Sequence, residues 1–173
     1  MPVRRRNLGR MFALLISMEW IVIASQTGAR IFRRRPYAHE LELVDLLENP
    51  KGRLRKHDIN SDKPGRGFSP TSVSRHGYMA SMPPDQAAAL GFAREIAKKL
   101  DQGRTHNSYD HLVLIADPPM LGMVRGALEQ QTLHRVLDVL PKNLAWAKPH
   151  ELPVKLRSLF ERIDRERPLR HVG

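Results

Sequence analysis

The run His111-Leu112-Val113-Leu114-Ile115-Ala116, closed by Asp117-Pro118-Pro119, constrains the fold more than any other part of this 173-residue chain. Five consecutive apolar residues, Leu112 to Ala116, leave no polar alternation. A strand written this way is covered on both faces, as in the centre of a layered α/β sheet. Asp117 stands where a helix N-cap belongs, with proline in the turn that follows. The carboxyl end of such a strand is also where open α/β sheets place ligands, so Asp117 is a candidate ligand-binding residue.

The other elements are read around that strand. Trp20 to Ala24, the turn Ser25-Gln26-Thr27-Gly28, and Ala29 to Phe32 spell a hairpin over residues 20–33. Arg33-Arg34-Arg35-Pro36 ends it with charge and a proline hostile to strands. Glu40 to Leu47 predicts a third strand, Asn49-Pro50-Lys51-Gly52 a turn, and Arg53 to Ile59 an exposed edge strand. Residues 61–83 read as a long loop rich in glycine and proline. Ala88, Phe92, Ile96 and Leu100 recur every four residues, which predicts a helix with Gly103 as its stop. Met120 to Leu140 reads as helix with a break near Gln130, Asn143 to Ala147 as a last strand, and Pro149 to Ile163 as a charged amphipathic helix. Tyr109 and Trp146 read as core or edge residues. The pattern predicts one α/β layer structure on a mixed sheet.

Charge and cysteine usage narrow the function. Lys and Arg number 29 against 18 Asp and Glu, a net charge of +11, which favours polyanionic partners such as nucleic acid, the ribosome or an anionic membrane surface. The absence of cysteine excludes disulfide scaffolds, thiol nucleophiles and cysteine-held metals. Arg4, Arg5, Arg6 and Arg10 precede the apolar stretch Met11 to Ala24, which superficially resembles a signal peptide. That stretch is shorter than the roughly 20 residues a membrane-spanning helix needs. It also contains Glu19 and Trp20, and cleavage near Ala24 would remove the first strand. The expectation is therefore a cytoplasmic protein without a stable transmembrane segment, with export or membrane association through residues 1–24 as the alternative. Residues 1–17 are read as a basic extension, with Met11 and Met18 as alternative starts, residues 18–164 as a single domain, and residues 165–173 as a basic tail.

The stretch Lys51 to Tyr78 is richest in binding chemistry, with seven cationic side chains against Asp58 and Asp62. Lys63, Gly65, Arg66, Gly67 and Phe68 are followed by Arg75, His76, Gly77 and Tyr78. Glycines let a backbone approach phosphate closely, arginines supply bidentate contacts, and Phe68 or Tyr78 can stack on an unpaired base. Together they outline an RNA-contacting loop; the blander reading is a solvated loop whose charge maintains solubility. Gly65-Arg66-Gly67 lacks the Gly-Lys-Ser/Thr ending of a phosphate-binding P-loop. No two of the eight histidines have His-x-x-x-His spacing, and neither a metal nor a cofactor is expected.

Several segments, in order, resemble the host attachment protein family, named for proteins "required for attachment to host cells". They are the hairpin Trp20 to Phe32, Asp62-Lys63-Pro64-Gly65-Arg66-Gly67-Phe68, Phe92-Ala93-Arg94-Glu95-Ile96-Ala97 with Leu100, and Leu112 to Pro119 with Leu121-Gly122 and Arg125. The resemblance covers about residues 18–160. That family is similar to bacterial relatives of the archaeo-eukaryotic peptide-chain release factors. It implies a three-layer α/β/α sandwich with a mixed sheet, ribonuclease H-like and similar to the middle domain of those factors and of Pelota. The release factors carry Gly-Gly-Gln in the loop before the long helix; here that loop reads Gly65-Arg66-Gly67-Phe68 through Arg75-His76-Gly77-Tyr78. Lacking Gly-Gly-Gln, the chain is read as a binding protein rather than an enzyme. Asp45, Asp110 and Asp117 are the candidate carboxylates, without an acidic metal cluster. The leading expectation is a domain that binds ribosome or structured RNA through residues 63–78. The alternatives are an envelope-associated attachment protein with a protein partner, and an RNA or peptidyl-tRNA hydrolase using His76 as general acid or base.

Overall fold

A computed structural model describes residues 17–52 and 84–167. Residues 1–16, 53–83 (with the expected edge strand Arg53 to Ile59 and the stretch Lys63 to Tyr78) and 168–173 lie outside the described residues. Strands β1 (Glu19–Ser25), β2 (Gly28–Arg34) and β3 (Glu42–Glu48) come first, followed by helix α1 (Pro84–Thr105). Next are β4 (His111–Ala116), helices α2 (Pro118–Ala127) and α3 (Gln130–Leu133), and β5 (Val136–Pro141). A 3-10 turn (Pro149–Glu151) then leads into α4 (Leu152–Lys155) and α5 (Arg157–Glu166). The sheet has five strands in the order β3-β2-β1-β4-β5. Strand β2 runs antiparallel to β1 and β3, while β1, β4 and β5 are parallel.

Alternation along the central strands divides the core between two faces. Trp20, Val22, Ala24, Ala29 and Ile31 pack against Phe92, Ile96 and Leu100 of α1 and Met120, Leu121 and Val124 of α2. Ile21, Ile23, Phe32, Val113 and Ile115 pack against Leu152, Leu156, Leu159, Phe160 and Ile163 on the other face. Helices therefore cover both sides of a mixed sheet. Among the described residues no helix is long and apolar enough to cross a membrane.

The hairpin, the third strand and the buried central strand stand where the sequence pattern puts them. Six local readings need correction. Chain 49–52 turns helical at Pro50 instead of forming a simple turn. Helix α1 continues through Gly103 to Thr105, because that glycine is a packing position: a Cβ there would lie 2.5 Å from Trp20 Cη2 and Cζ3. The stretch 136–140 is strand, not helix. A register irregularity opposite Leu112 and Val113 breaks the alternation of β5, so Val136 and Val139 meet one face while Leu137 and Leu140 meet the other. A bulge thus imitates helical spacing. Asn143 to Ala147 is not a strand; it is tied down from a distance by Arg30, as described below. The C-terminal helix is interrupted at Leu156, and Arg165 to Glu166, placed by sequence in a basic tail, continue α5.

A buried ionic cluster fastens that end to the sheet. Arg34 Nη1 donates to Glu19 Oε2 at 2.7 Å, Arg34 Nη2 donates to Asp164, and Arg167 pairs with Glu19. The Arg34 guanidinium also lies 4.3 Å from the Phe160 ring centroid.

Candidate functional site

The parallel strands end on one side of the sheet, and there the chain leaves a cleft of about 410 Å³. Ser25, Gln26 and Thr27 of the β1–β2 turn form its floor, with Asn49, Lys51 and Gly52 beyond β3. Asp85, Ala88 and Ala89 of the first turns of α1, Asp117 beyond β4, and Asn143, Ala145 and Trp146 beyond β5 complete the wall. The position agrees with the general placement of ligands outside the carboxyl ends of α/β strands.

Local bonds hold each part in place. Ser25 Oγ lies 3.0 Å from Thr27 Oγ1, and Asn49 Nδ2 donates to the Gln26 carbonyl at 2.7 Å. Gly52 passes so close to the hairpin turn that a Cβ would fall 2.0 Å from Gln26 O. Only glycine fits there. Asp117 caps α2: its Oδ1 accepts from Met120 N at 3.0 Å, with prolines in the first turn. The cap does not use Oδ2.

Trp146 is held from behind. Arg30 Nη1 donates to Ala147 O at 2.8 Å, and Nη2 donates to Leu144 O at 2.9 Å and Ala145 O at 3.2 Å. Burial lowers the pKa of that guanidinium from its ordinary value. Trp146 Nε1 donates to Asn143 O at 3.1 Å, and Lys155 Nζ lies 4.8 Å from the ring centroid. Trp146 is nevertheless 67% exposed. This corrects its reading as a core or edge residue. Its exposure had no local signal, because the residue that positions the loop lies on β2.

The candidate carboxylates do not converge. Asp110 and Asp117 flank opposite ends of β4, roughly 20 Å apart along an extended chain. Asp110 Oδ2 accepts from Met18 N at 2.8 Å. Asp45 on β3 pairs with Lys99 at 2.5 Å, and the hydrogen bond from Lys99 holds its carboxyl below the ordinary range. Among the described residues no three His, Cys, Asp or Glu side chains group as metal ligands. Of the residues singled out for binding, Asp117 lines the cleft. Lys63, Gly65, Arg66, Gly67, Phe68, Arg75, His76, Gly77 and Tyr78 fall outside the described residues, between Gly52 and Asp85, which both line the cleft.

A family model described as "Protein required for attachment to host cells" matches residues 20–156. No curated protein matches the chain. A solved structure titled "Archaeal protein" is similar over 86% of this chain at 12% identity and a TM-score of 0.40. This chain spans 36% of that protein.

Proposed function

The chain belongs to the family of proteins required for attachment to host cells, and from that premise we propose that it is a release-factor-like domain that binds ribosome or structured RNA through its basic stretch 63–78. The partition of charge carries this reading. The described residues hold 18 Lys and Arg against 16 Asp and Glu, so the sandwich is nearly balanced. The remaining 11 cationic residues face only two acidic ones, Asp58 and Asp62. A polyanion is therefore attracted by residues 1–16, 53–83 and 168–173 rather than by the sheet and its helices. Some arginines of the sandwich are already engaged: Arg30 serves carbonyls, Arg34 serves Glu19 and Asp164, and Arg104 pairs with Glu129 at 2.7 Å.

Arg66 and Arg75 make phosphate contacts, with the neighbouring glycines admitting the backbone and Phe68 or Tyr78 stacking on bases. Helices on both faces of the mixed sheet support the three-layer, ribonuclease H-related sandwich that the resemblance implies. In this reading the domain covers residues 18–164, works in the cytoplasm and binds without breaking a bond. Ribosome co-sedimentation and binding of a labelled structured RNA at increasing salt test it. Affinity should fall steeply with salt, and the double reversal Arg66→Glu/Arg75→Glu should abolish it. Salt-independent binding, or binding indifferent to the double reversal, rejects the reading.

A further inference from the structure

We propose that the cleft at the carboxyl end of the sheet takes one unpaired guanine base, stacked on Trp146 and held along its N–H edge by Asp117. The proposal rests on the RNA reading only for the source of the base, since a free nucleotide would make the same contacts.

A cleft of about 410 Å³ lies within the range of small-molecule sites. Its platform is Trp146, 67% exposed as a residue yet fixed by its own bond to Asn143 O, by Lys155 over the ring and by Arg30 beneath the loop. A large aromatic ring pinned in place yet left in solvent is suited to stacking, and base–aromatic stacking tolerates any base. Selectivity must come from the polar wall.

That wall is rich in acceptors. Among the described residues the charged groups lining the cleft are Lys51, Asp85 and Asp117, with Lys155 Nζ over the Trp146 ring, so they hold no excess of cations to make a phosphate the main anchor. A carboxylate has about four lone-pair sites, and the cap occupies one at Asp117 Oδ1. The rest suit two adjacent N–H donors. Guanine presents such a pair, N1–H beside its exocyclic amine. Adenine and cytosine each offer one donor group beside an acceptor, and uracil flanks its single N–H with carbonyls. Lys51 and the Asn143 amide supply donors for guanine O6 and N7; Asn143 Oδ1 is already used by Ala145 N at 3.1 Å.

The test titrates the full chain with GMP, AMP, CMP, UMP and ribose 5-phosphate by calorimetry, with tryptophan emission as a second readout. The chain has two tryptophans, and Trp20 is 4% exposed in the core, so a ligand-dependent change reports Trp146. GMP should bind saturably and about tenfold or more tighter than the other probes. Trp146→Leu should abolish binding. Asp117→Asn keeps a good N-cap and should leave the melting temperature unchanged while weakening GMP about tenfold. GMP binding retained in Arg66→Glu/Arg75→Glu, with RNA binding unaffected by that reversal, supports the base site while sinking the RNA reading. No saturable GMP binding, equal affinity for AMP, or indifference to Asp117→Asn overturns the base site, even if RNA still binds through residues 63–78.

Discussion

Replacing Gly103 by alanine sets two effects of opposite sign against each other. In a helix interior the change normally stabilises by about 1 kcal/mol, by removing backbone freedom from the unfolded chain. At Gly103 the new methyl would lie 2.5 Å from Trp20 Cη2 and Cζ3 and 3.0 Å from Tyr109 Cε1. Optimal carbon contacts are roughly 3.5–4.0 Å, so the overlap is about 1 Å on a rigid ring. Neither ring can retreat cheaply. Trp20 and Tyr109 are buried, their centroids are 4.7 Å apart, and Tyr109 donates to Leu100 O at 2.7 Å. Overpacking costs about 1–3 kcal/mol, and this geometry belongs at the upper end, leaving a net loss of about 2 kcal/mol. At Gly91, in the same helix, a new methyl would meet nothing within 4 Å, so Gly91→Ala should gain about 1 kcal/mol. Urea unfolding followed by far-ultraviolet circular dichroism separates the two, with midpoints compared at constant slope. If Gly103→Ala proves as stable as Gly91→Ala, the close seating of α1 on Trp20 is wrong.

Removing Arg34 tests the buried ionic cluster. Arg34→Met leaves Glu19 and Asp164 short of their shared cation, and urea unfolding should show a loss of about 3 kcal/mol, with Arg167 as the remaining partner. Arg33→Met, which loses only the exposed pair with Glu42, should leave the midpoint where it was. Tyr109 supplies an alkaline signature. Burial pushes its phenol up to about 12, above the roughly 10 of an unfolded tyrosine, so its contribution is complete below pH 10 and is lost as pH rises toward 12. Stability measured from pH 9 upward should fall less steeply in Tyr109→Phe; an unchanged slope refutes the assignment.

The elements legible in the sequence are those whose pattern is local. Leu112 to Ala116 is apolar without a break, Ala88 to Leu100 repeats every four residues, and the hairpin has its turn chemistry in Ser25 to Gly28. Strand β5 was illegible because a bulge opposite Leu112 and Val113 places Val136 and Val139 on one face and Leu137 and Leu140 on the other. Three-residue spacing is also what a helix produces. Gly103 shows the same ambiguity in one residue: a glycine near a helix end reads as a stop, whereas here it admits an indole. Asp117 was legible as both cap and cleft residue, since its place after a buried strand implies both. The rest of the cleft comes from separate stretches of the chain, and the exposure of Trp146 depends on Arg30, 116 positions earlier.

The charge argument becomes more specific once the fold assigns positions to the residues. A net +11 spread evenly would make the entire surface attractive to a polyanion, and any arginine would be as good a contact as another. The structure pairs Arg34, Arg104 and Arg167 with carboxylates of the sandwich, which offset their charge, and commits Arg30 to backbone carbonyls. The two proposals together assign separable roles. In that reading the nearly neutral body selects a base by hydrogen bonds in the cleft, and salt weakens these little. The basic stretch between Gly52 and Asp85 would supply long-range attraction, which salt screens within about 10 Å at 0.1 M. High salt should therefore remove capture of a polymer before it removes recognition of a base. Loss of both at the same ionic strength would mean that the two parts act as one electrostatic surface.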